Sequence, residues 1–129
     1  MRALVCTALT SDLSGLGVED VADLPPPGMG QVRLKIEAAS LNFPDLLMAQ
    51  GLYQFRPDPP FVPGMDVAGT VVALGPTDSN HDGERLAVGD RVAGGARLGG
   101  FAQYANIAAN ALSPMPPAFS FAEGAAYPA

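Results

Sequence analysis

Three polar side chains with different chemistry lie within twelve residues of one another. Asn42 supplies an amide, Asp45 a carboxylate and Tyr53 a phenol. The amide and the phenol can donate hydrogen bonds to an oxygen that gains negative charge, whereas an ionised carboxylate only accepts them. Asp45 would therefore orient a neighbouring group. Each residue also has a purely structural explanation: Asn42 as a helix cap, Asp45 at the helix dipole and Tyr53 as a packed aromatic.

The sequence contains few side chains that could bind a metal and no evident loop that could bind a phosphate. Cys6 is the only cysteine and lies in an apolar run that is typical of core, and His81, the only histidine, lies in a polar loop that is typical of solvated surface. A single cysteine excludes an internal disulfide and makes a cytoplasmic location the default expectation. The glycines at positions 94–100 lack the G-x-G-x-x-G spacing of a dinucleotide-binding loop.

Composition narrows the class of protein. The chain has 129 residues, 48% of them hydrophobic, which suits one folded domain. Seven basic residues against thirteen acids give a net charge of −6, and the basic residues form no stripe, so a nucleic-acid partner is disfavoured. No run resembles a signal peptide or is long enough to span a membrane.

Short strands are the main elements expected to position these residues. Strands are predicted over residues 1–7, 18–24, 67–74, 91–93 and 101–107, and the clearest alternation, from Val32 to Ala38, predicts a strand with one buried face. Gly69 predicts a bulge or a close backbone approach. Residues 53–63 hold four prolines and are predicted to be irregular. This spacing of short strands favours an all-β barrel or sandwich.

Two short helices complete the prediction. Asn42 can cap a helix of about two turns that Gly51 ends. Ser120 and Glu123 have the spacing of a capping box, which predicts a second helix from Phe121. The chain stops soon afterwards, so this helix either leads into a further domain or packs on the barrel as a terminal turn.

Several blocks of sequence resemble one enzyme family. Residues 40–53 read S-L-N-F-P-D-L-L-M-A-Q-G-L-Y, and residues 59–75 read P-P-F-V-P-G-M-D-V-A-G-T-V-V-A-L-G. V-G-D-R-V at 88–92, G-G-F-A-Q-Y-A at 99–105 and F-S-F-A-E-G-A-A at 119–126 follow in the same order. Together they resemble the N-terminal domain of medium-chain dehydrogenase/reductases, specifically the quinone oxidoreductase branch.

This resemblance implies a fold and a site. The fold would be mainly β, a GroES-like, partly open β-barrel with one or two short helices over residues 1–129, and a Rossmann nucleotide-binding domain would lie outside this chain. Asn42, Asp45 and Tyr53 would line the cleft and bind NADPH or NADH, with Asn42 and Tyr53 also catalytic. Asn42 stands where the zinc-dependent branch has a cysteine, and Met65 and Asp66 stand where it has His-Glu, so no catalytic zinc is expected.

The implied activity is the reduction of a quinone or another conjugated carbonyl by direct hydride transfer from NAD(P)H, with the isolated chain inactive. An enoyl-thioester reductase is the rival enzyme, and a stand-alone binding module without catalysis is the rival class. If a second domain is missing, an apolar face should be exposed and should self-associate or be covered by the terminal segment. The side chains expected on that face are Leu46, Leu47, Tyr53, Phe55, Phe121 and Tyr127.

Overall fold

The computed structural model describes residues 1–77 and 86–126. Seven strands and two α-helices occur in these ranges: β1 (Arg2–Cys6), β2 (Leu16–Asp20), β3 (Gln31–Ser40), α1 (Phe43–Gln50), β4 (Asp66–Leu74), β5 (Arg91–Gly95), β6 (Tyr104–Ala108), β7 (Leu112–Pro114) and α2 (Phe121–Ala126), with a 3₁₀ turn at Ala109–Ala111. The mainly β class with two short helices is confirmed. His81 and Tyr127 lie outside the described residues.

The strands form two antiparallel sheets that do not close on each other. One is the β1–β2 pair, and the other has the order β6-β3-β4-β5-β7. The main core lies on one face of the larger sheet and includes Val32, Leu34, Val71 and Val92, each no more than 1% exposed. As predicted, Val32, Leu34 and Ile36 face this core while Lys35 and Glu37 are exposed. The predicted alternation was wrong at Ala38, which packs on a separate cluster with Ala68 and Ala125, because the pairing with β4 is irregular between Ile36 and Ala38.

The pairing of β3 with β4 fixes the position of the polar residues discussed below. Its register sets Ser40 opposite Asp66 and Ile36 opposite Gly69, with an irregularity between Ile36 and Ala38. A Cβ on Gly69 would lie 2.1 Å from the Lys35 carbonyl oxygen. The predicted close backbone approach at Gly69 is therefore confirmed.

Several predicted strand boundaries were wrong, and β5 also continues to Gly95 instead of ending at residue 93. β2 ends at Asp20 instead of continuing to residue 24, and β6 starts at Tyr104 because Ala102 makes only an isolated bridge with Ala3. The short edge strand β7 was not predicted at all. It ends on Pro114, which has no N–H to donate and is unfavourable in most strands. This short strand therefore depends on its pairing with β5 and not on a local preference of its residues for strand.

Candidate functional site

Helix α1 begins at Asn42, as the sequence predicts. Asn42 has an extended backbone at the N-cap position, Pro44 lies in the first turn, and the αL conformation of Gly51 (φ 75°) ends the helix. The Asp45 carboxylate accepts the Asn42 backbone N–H, with Oδ2 at 2.9 Å from the nitrogen. This bond is half of a capping box, and it fixes Asn42 relative to the first turn.

The amide of Asn42 has partners beyond its own helix. Its Nδ2 donates to Asp66 Oδ2 at 2.6 Å and to Ser40 Oγ at 3.1 Å. Ser40 in turn donates from its hydroxyl to the Ala125 carbonyl oxygen of α2 at 3.0 Å. Because β3 and β4 place Ser40 opposite Asp66, both acceptors reach the same amide. Asn42 therefore joins α1, the β3–β4 pair and α2.

This network changes what Asn42 can offer a substrate. A side-chain amide has two N–H donors, and here one is directed at Asp66 and the other at Ser40. Asn42 could donate to a substrate oxygen only if one of these bonds opened. The predicted role of Asn42 as an oxyanion donor stays a prediction, and it now requires a rearrangement on binding.

Asp45 lies inside the protein instead of on the cleft wall. It is 2% exposed, and its Oδ1 has no hydrogen-bond partner among residues 1–77 and 86–126. Burial raises the pKa of this carboxyl and the nearby Asp66 carboxylate adds to the rise, while the backbone N–H groups of Asn42 and Gly64 oppose it. Cofactor binding by Asp45 stays a prediction, and its burial favours positioning of Asn42 as its role.

Tyr53 borders an open cleft of about 330 Å³ together with Gln54, Phe55, Met65 and Arg97. Met65 precedes Asp66 in sequence, so the cleft lies beside the Asn42 network. Within the described part of the chain the Tyr53 hydroxyl has no hydrogen-bond partner, which leaves it available to a ligand. The Arg97 guanidinium carbon lies 4.6 Å from the centre of the Phe55 ring.

Sequence analysis missed three residues of this region as site components. In sequence, Asp66 stands out only as the counterpart of a zinc-binding glutamate, and no pattern singles out Ser40 or Arg97. Ser40 and Asp66 could have been found from their places at the end of one strand and the start of the next. Arg97 carried no local signal, since its position beside Phe55 depends on a contact across 42 positions of sequence.

The residues at the expected zinc positions do not fit that ion. Asn42 presents an amide, Met65 a thioether, and Asp66 already accepts a hydrogen bond from Asn42. Cys6 is fully buried in β1, and burial raises the pKa of its thiol, which disfavours the thiolate that zinc requires. No cluster of three or more His, Cys, Asp or Glu side chains that could hold a metal occurs in the described ranges.

Glycines 94–100 provide no dinucleotide loop either. Gly94 and Gly95 belong to β5, and the chain continues through Gly99 (φ 100°) to β6 with no intervening α-helix. A phosphate-binding loop of the Rossmann kind needs a helix N-terminus at this point. The expectation from the spacing is therefore confirmed for this segment.

The predicted apolar face is only partly exposed. Leu46, Leu47, Tyr53, Phe55 and Phe121 are all of intermediate exposure. The most exposed large side chains around α1 are different ones: Leu41 at 64%, Phe43 at 70% and Leu52 at 67%. The terminal helix does pack back on the sheet, with Ala125 buried against Ala68 and Met115.

The capping box predicted for α2 is present. The Glu123 carboxylate accepts the Ser120 N–H, and the Ser120 hydroxyl accepts the Glu123 N–H. Arg91 of β5 donates to the Phe119 carbonyl oxygen at 2.7 Å and lies over the Phe121 ring. These contacts hold α2 in the place where its Ala125 carbonyl can reach Ser40.

This arrangement has counterparts in known proteins. The family model of the alcohol dehydrogenase GroES-like domain matches residues 28–117. The chain belongs to this family. The GroES-like fold predicted from the resemblance is thereby confirmed. The side chains of the site described above lie within the matched region, whereas Ala125, whose carbonyl oxygen accepts from Ser40, follows it.

The relatives of this GroES-like domain include quinone oxidoreductases. The quinone oxidoreductase-like protein 2 homolog of Nematostella vectensis is 36% identical over 126 residues, which cover 97% of this chain and 32% of the relative. The synaptic vesicle membrane protein VAT-1 homolog of Rattus norvegicus is 39% identical over 121 residues, covering 88% and 29%. The predicted relationship to the quinone oxidoreductase branch of medium-chain dehydrogenase/reductases is confirmed.

Solved structures agree with the sequence relatives. A probable oxidoreductase from Mycobacterium abscessus superposes with a TM-score of 0.85 at 34% identity, over 97% of this chain and 37% of the other. The quinone oxidoreductase from Thermus thermophilus, which was also solved in complex with NADPH, gives 0.73 at 37% identity, over 99% and 37%. The chain thus spans about a third of the length of these relatives. None of the described helices is long and apolar enough to cross a membrane.

Proposed function

We propose that this chain is the substrate-side domain of an NAD(P)H-dependent oxidoreductase that reduces a quinone or another conjugated carbonyl without a metal. The observation that carries the proposal is the pairing of the Asn42 amide with Asp66 beside the cleft of Tyr53, at positions where a zinc enzyme would present its ligands. The oxidoreductase relatives supply the context, and the NADPH complex of the Thermus thermophilus protein supports a nicotinamide cofactor.

Tyr53 is the residue of this chain best suited to assist the reduction. The bound nicotinamide would supply the hydride, and the carbonyl oxygen of the substrate would gain negative charge. The Tyr53 hydroxyl, which has no partner among the described residues, can donate a hydrogen bond to that oxygen. Asn42 would hold the cofactor or substrate at the edge of the cleft, and Asp66, Ser40 and Asp45 would keep its amide in one orientation.

The proposal assigns phosphate binding to a Rossmann domain outside this chain. The described residues offer no glycine-rich turn that leads into a helix, so nothing here grips the pyrophosphate of a dinucleotide. Hydride transfer requires donor and acceptor in contact, and we therefore expect the isolated chain to be inactive.

Steady-state kinetics test the proposal. NADPH oxidation with para-benzoquinone should match the protein-free blank for the isolated chain and should be catalysed by the full-length native protein. Tyr53→Phe should lower kcat/KM by about a hundredfold, the lower end for the loss of one preorganised donor. Tyr104→Phe, a matched change on β6, should have no effect. Turnover by the isolated chain, or equal activity of the two variants, would contradict the proposal.

An inactive full-length protein would instead favour a binding module without catalysis. Comparison of para-benzoquinone with an enoyl thioester in the same assay separates the two enzyme candidates. A higher kcat/KM for the thioester would assign the cleft to enoyl reduction.

A further inference from the structure

We propose that Arg97 forms an anion-binding subsite beside Tyr53, which selects conjugated carbonyl substrates that carry a negatively charged group such as a carboxylate or a sulfonate. This inference rests on the proposed function, because it names the substrate class for the same cleft. Its support comes from the position of the guanidinium, the absence of a counter-ion for it among the described residues, and the other side chains that line the cleft.

The guanidinium of Arg97 belongs to an exposed side chain that contacts an aromatic ring. Its central carbon lies 4.6 Å from the centre of the Phe55 ring, which is a stacking distance for a cation over an aromatic face. A guanidinium stacked by its face keeps its N–H donors in the plane free for a planar or tetrahedral anion. The contact therefore orients Arg97 without using the groups that would bind a ligand.

Among the described residues, Arg97 also has no counter-ion. The ion pairs among the described residues join the N-terminus with Asp23 and Lys35 with Glu37. Arg33 and Arg91 donate to backbone carbonyl oxygens, so both have a structural use. Arg97 has neither an ion pair nor a hydrogen bond in that part of the chain, although acids outnumber bases by thirteen to seven in the protein. The side chains of Arg2 and Arg56 are likewise unpaired there, and of these three arginines only Arg97 lies over an aromatic ring.

The other walls of the cleft suit the same class of ligand. Tyr53 and Gln54 add a hydroxyl and an amide as donors, and Phe55 and Met65 add apolar surface. No carboxylate side chain lines the cleft among the described residues, and Asp66, which follows Met65, accepts a hydrogen bond from Asn42. A conjugated ring or enone could lie on the apolar surface while its charged group reached Arg97.

The cleft is anchored to the rest of the fold. Residues 53–63 are irregular, but Phe61 exchanges two backbone hydrogen bonds with Cys6 of β1, at 2.7 and 3.1 Å. On the other side, the Gly99 N–H donates to the Val62 carbonyl oxygen at 2.7 Å. The segments that carry Phe55 and Arg97 are thus tied together, which favours a preformed subsite.

Titration of the isolated chain with three small molecules tests this inference. The probes are anthraquinone sulfonate, the neutral hydroxymethylanthraquinone and nicotinamide mononucleotide, and the measurement is the NMR shift of the Arg97 Nε–H and the Gln54 amide. We expect the sulfonate to bind about fivefold more tightly than the neutral quinone, as one partly exposed charge-assisted contact allows. The preference should shrink as salt is added, because the Debye length falls to about 10 Å at 0.1 M.

Variants separate the local effect of Arg97 from the net charge of the chain. Arg97→Gln should abolish the sulfonate preference, and Arg97→Lys should keep part of it because the charge remains while the planar fork is lost. Arg2→Gln removes the same charge from β1, in a different groove, and should leave the preference intact. Urea unfolding of each variant confirms that it is folded.

Three results would overturn the inference. They are an equal response to the sulfonate and the neutral quinone, a preference that survives Arg97→Gln, and a larger Arg97 shift with nicotinamide mononucleotide, which would assign Arg97 to the cofactor phosphate. The titration involves no hydride transfer, so its outcome does not depend on whether the full-length protein reduces quinones. Failure of the reductase assay alone would contradict the proposed function and leave the anion subsite in place.

Discussion

The geometry of the hydrogen bond between Asn42 and Asp66 allows the coupling free energy between these two residues to be predicted. Its length of 2.6 Å and its carboxylate acceptor place it among charge-assisted hydrogen bonds, which contribute about 1.5–3 kcal/mol. Both side chains are half-buried, so solvent weakens the bond and the lower end applies. We therefore expect a coupling free energy of about 1.5 kcal/mol between the two residues.

A double-mutant cycle isolates this coupling. Asn42→Ala also removes an N-cap residue, which costs about 1 kcal/mol by itself, and Asp66→Ala also removes the repulsion that Asp66 exerts on Asp45. Both side effects cancel in the cycle to the extent that they are independent of the partner residue. Urea unfolding of the wild type, the two single variants and the double variant gives the four free energies. With a slope of about 2 kcal/mol per M, the coupling corresponds to about 0.7 M in the midpoint.

A control cycle keeps this result interpretable. Asn42→Ala combined with Tyr104→Phe should be additive within about 0.5 kcal/mol, because Tyr104 lies on β6 and shares no partner with Asn42. A coupling below about 0.5 kcal/mol for the Asn42–Asp66 pair, equal to that of the control pair, would refute the idea that Asp66 holds the amide.

Four further predictions concern pH, backbone strain, metal and association. Burial raises the pKa of Asp45 in the folded state, so the folded protein binds more protons than the unfolded chain between the ordinary pKa of about 3.9 and the raised value. The contribution of Asp45 to stability therefore falls as pH rises through that window. In urea unfolding, Asp45→Asn should become more stable relative to the wild type over the same window. A stability difference between the two proteins that does not change with pH would contradict this. Gly64 has φ 113°, and a Cβ there would lie 2.6 Å from the Phe101 nitrogen, so Gly64→Ala should lower the free energy of unfolding by more than about 3 kcal/mol. Gly89 has φ 99° but open space around it, so Gly89→Ala should lower it by only about 1–2 kcal/mol. Equal losses would show that the close approach at Gly64 is unimportant. Elemental analysis of protein purified without added metal should find no stoichiometric zinc, and one zinc per chain retained against a chelator would contradict the assigned branch. The chain should self-associate through exposed Phe43 and Leu52, so Phe43→Ser should shift the sedimentation of the isolated chain toward monomer, and an unchanged distribution would place the contact elsewhere.

Local sequence signals were sufficient for most elements of this fold. The strand β3 follows from its alternation of apolar and charged residues, α1 from Asn42 and Gly51 at its two ends, and α2 from the spacing of Ser120 and Glu123. Each of these signals acts over a few residues, within reach of one turn of helix or one pleat of strand. Short blocks of sequence were likewise sufficient to predict the family relationship. The residue types of Asn42 and Met65 were sufficient to show that these positions suit zinc poorly.

The sequence alone determined which chemical groups the site could contain and which elements would carry them. Only the tertiary structure decided how those groups are used: the register of β3 on β4 directs the Asn42 amide at Asp66 and Ser40, and the first turn of α1 buries Asp45. The contact of Phe55 with Arg97 likewise joins two loops that are far apart in sequence. Hydrogen-bond direction, burial and pairing across strands depend on the packing of distant segments, and that packing leaves no periodic pattern along the chain.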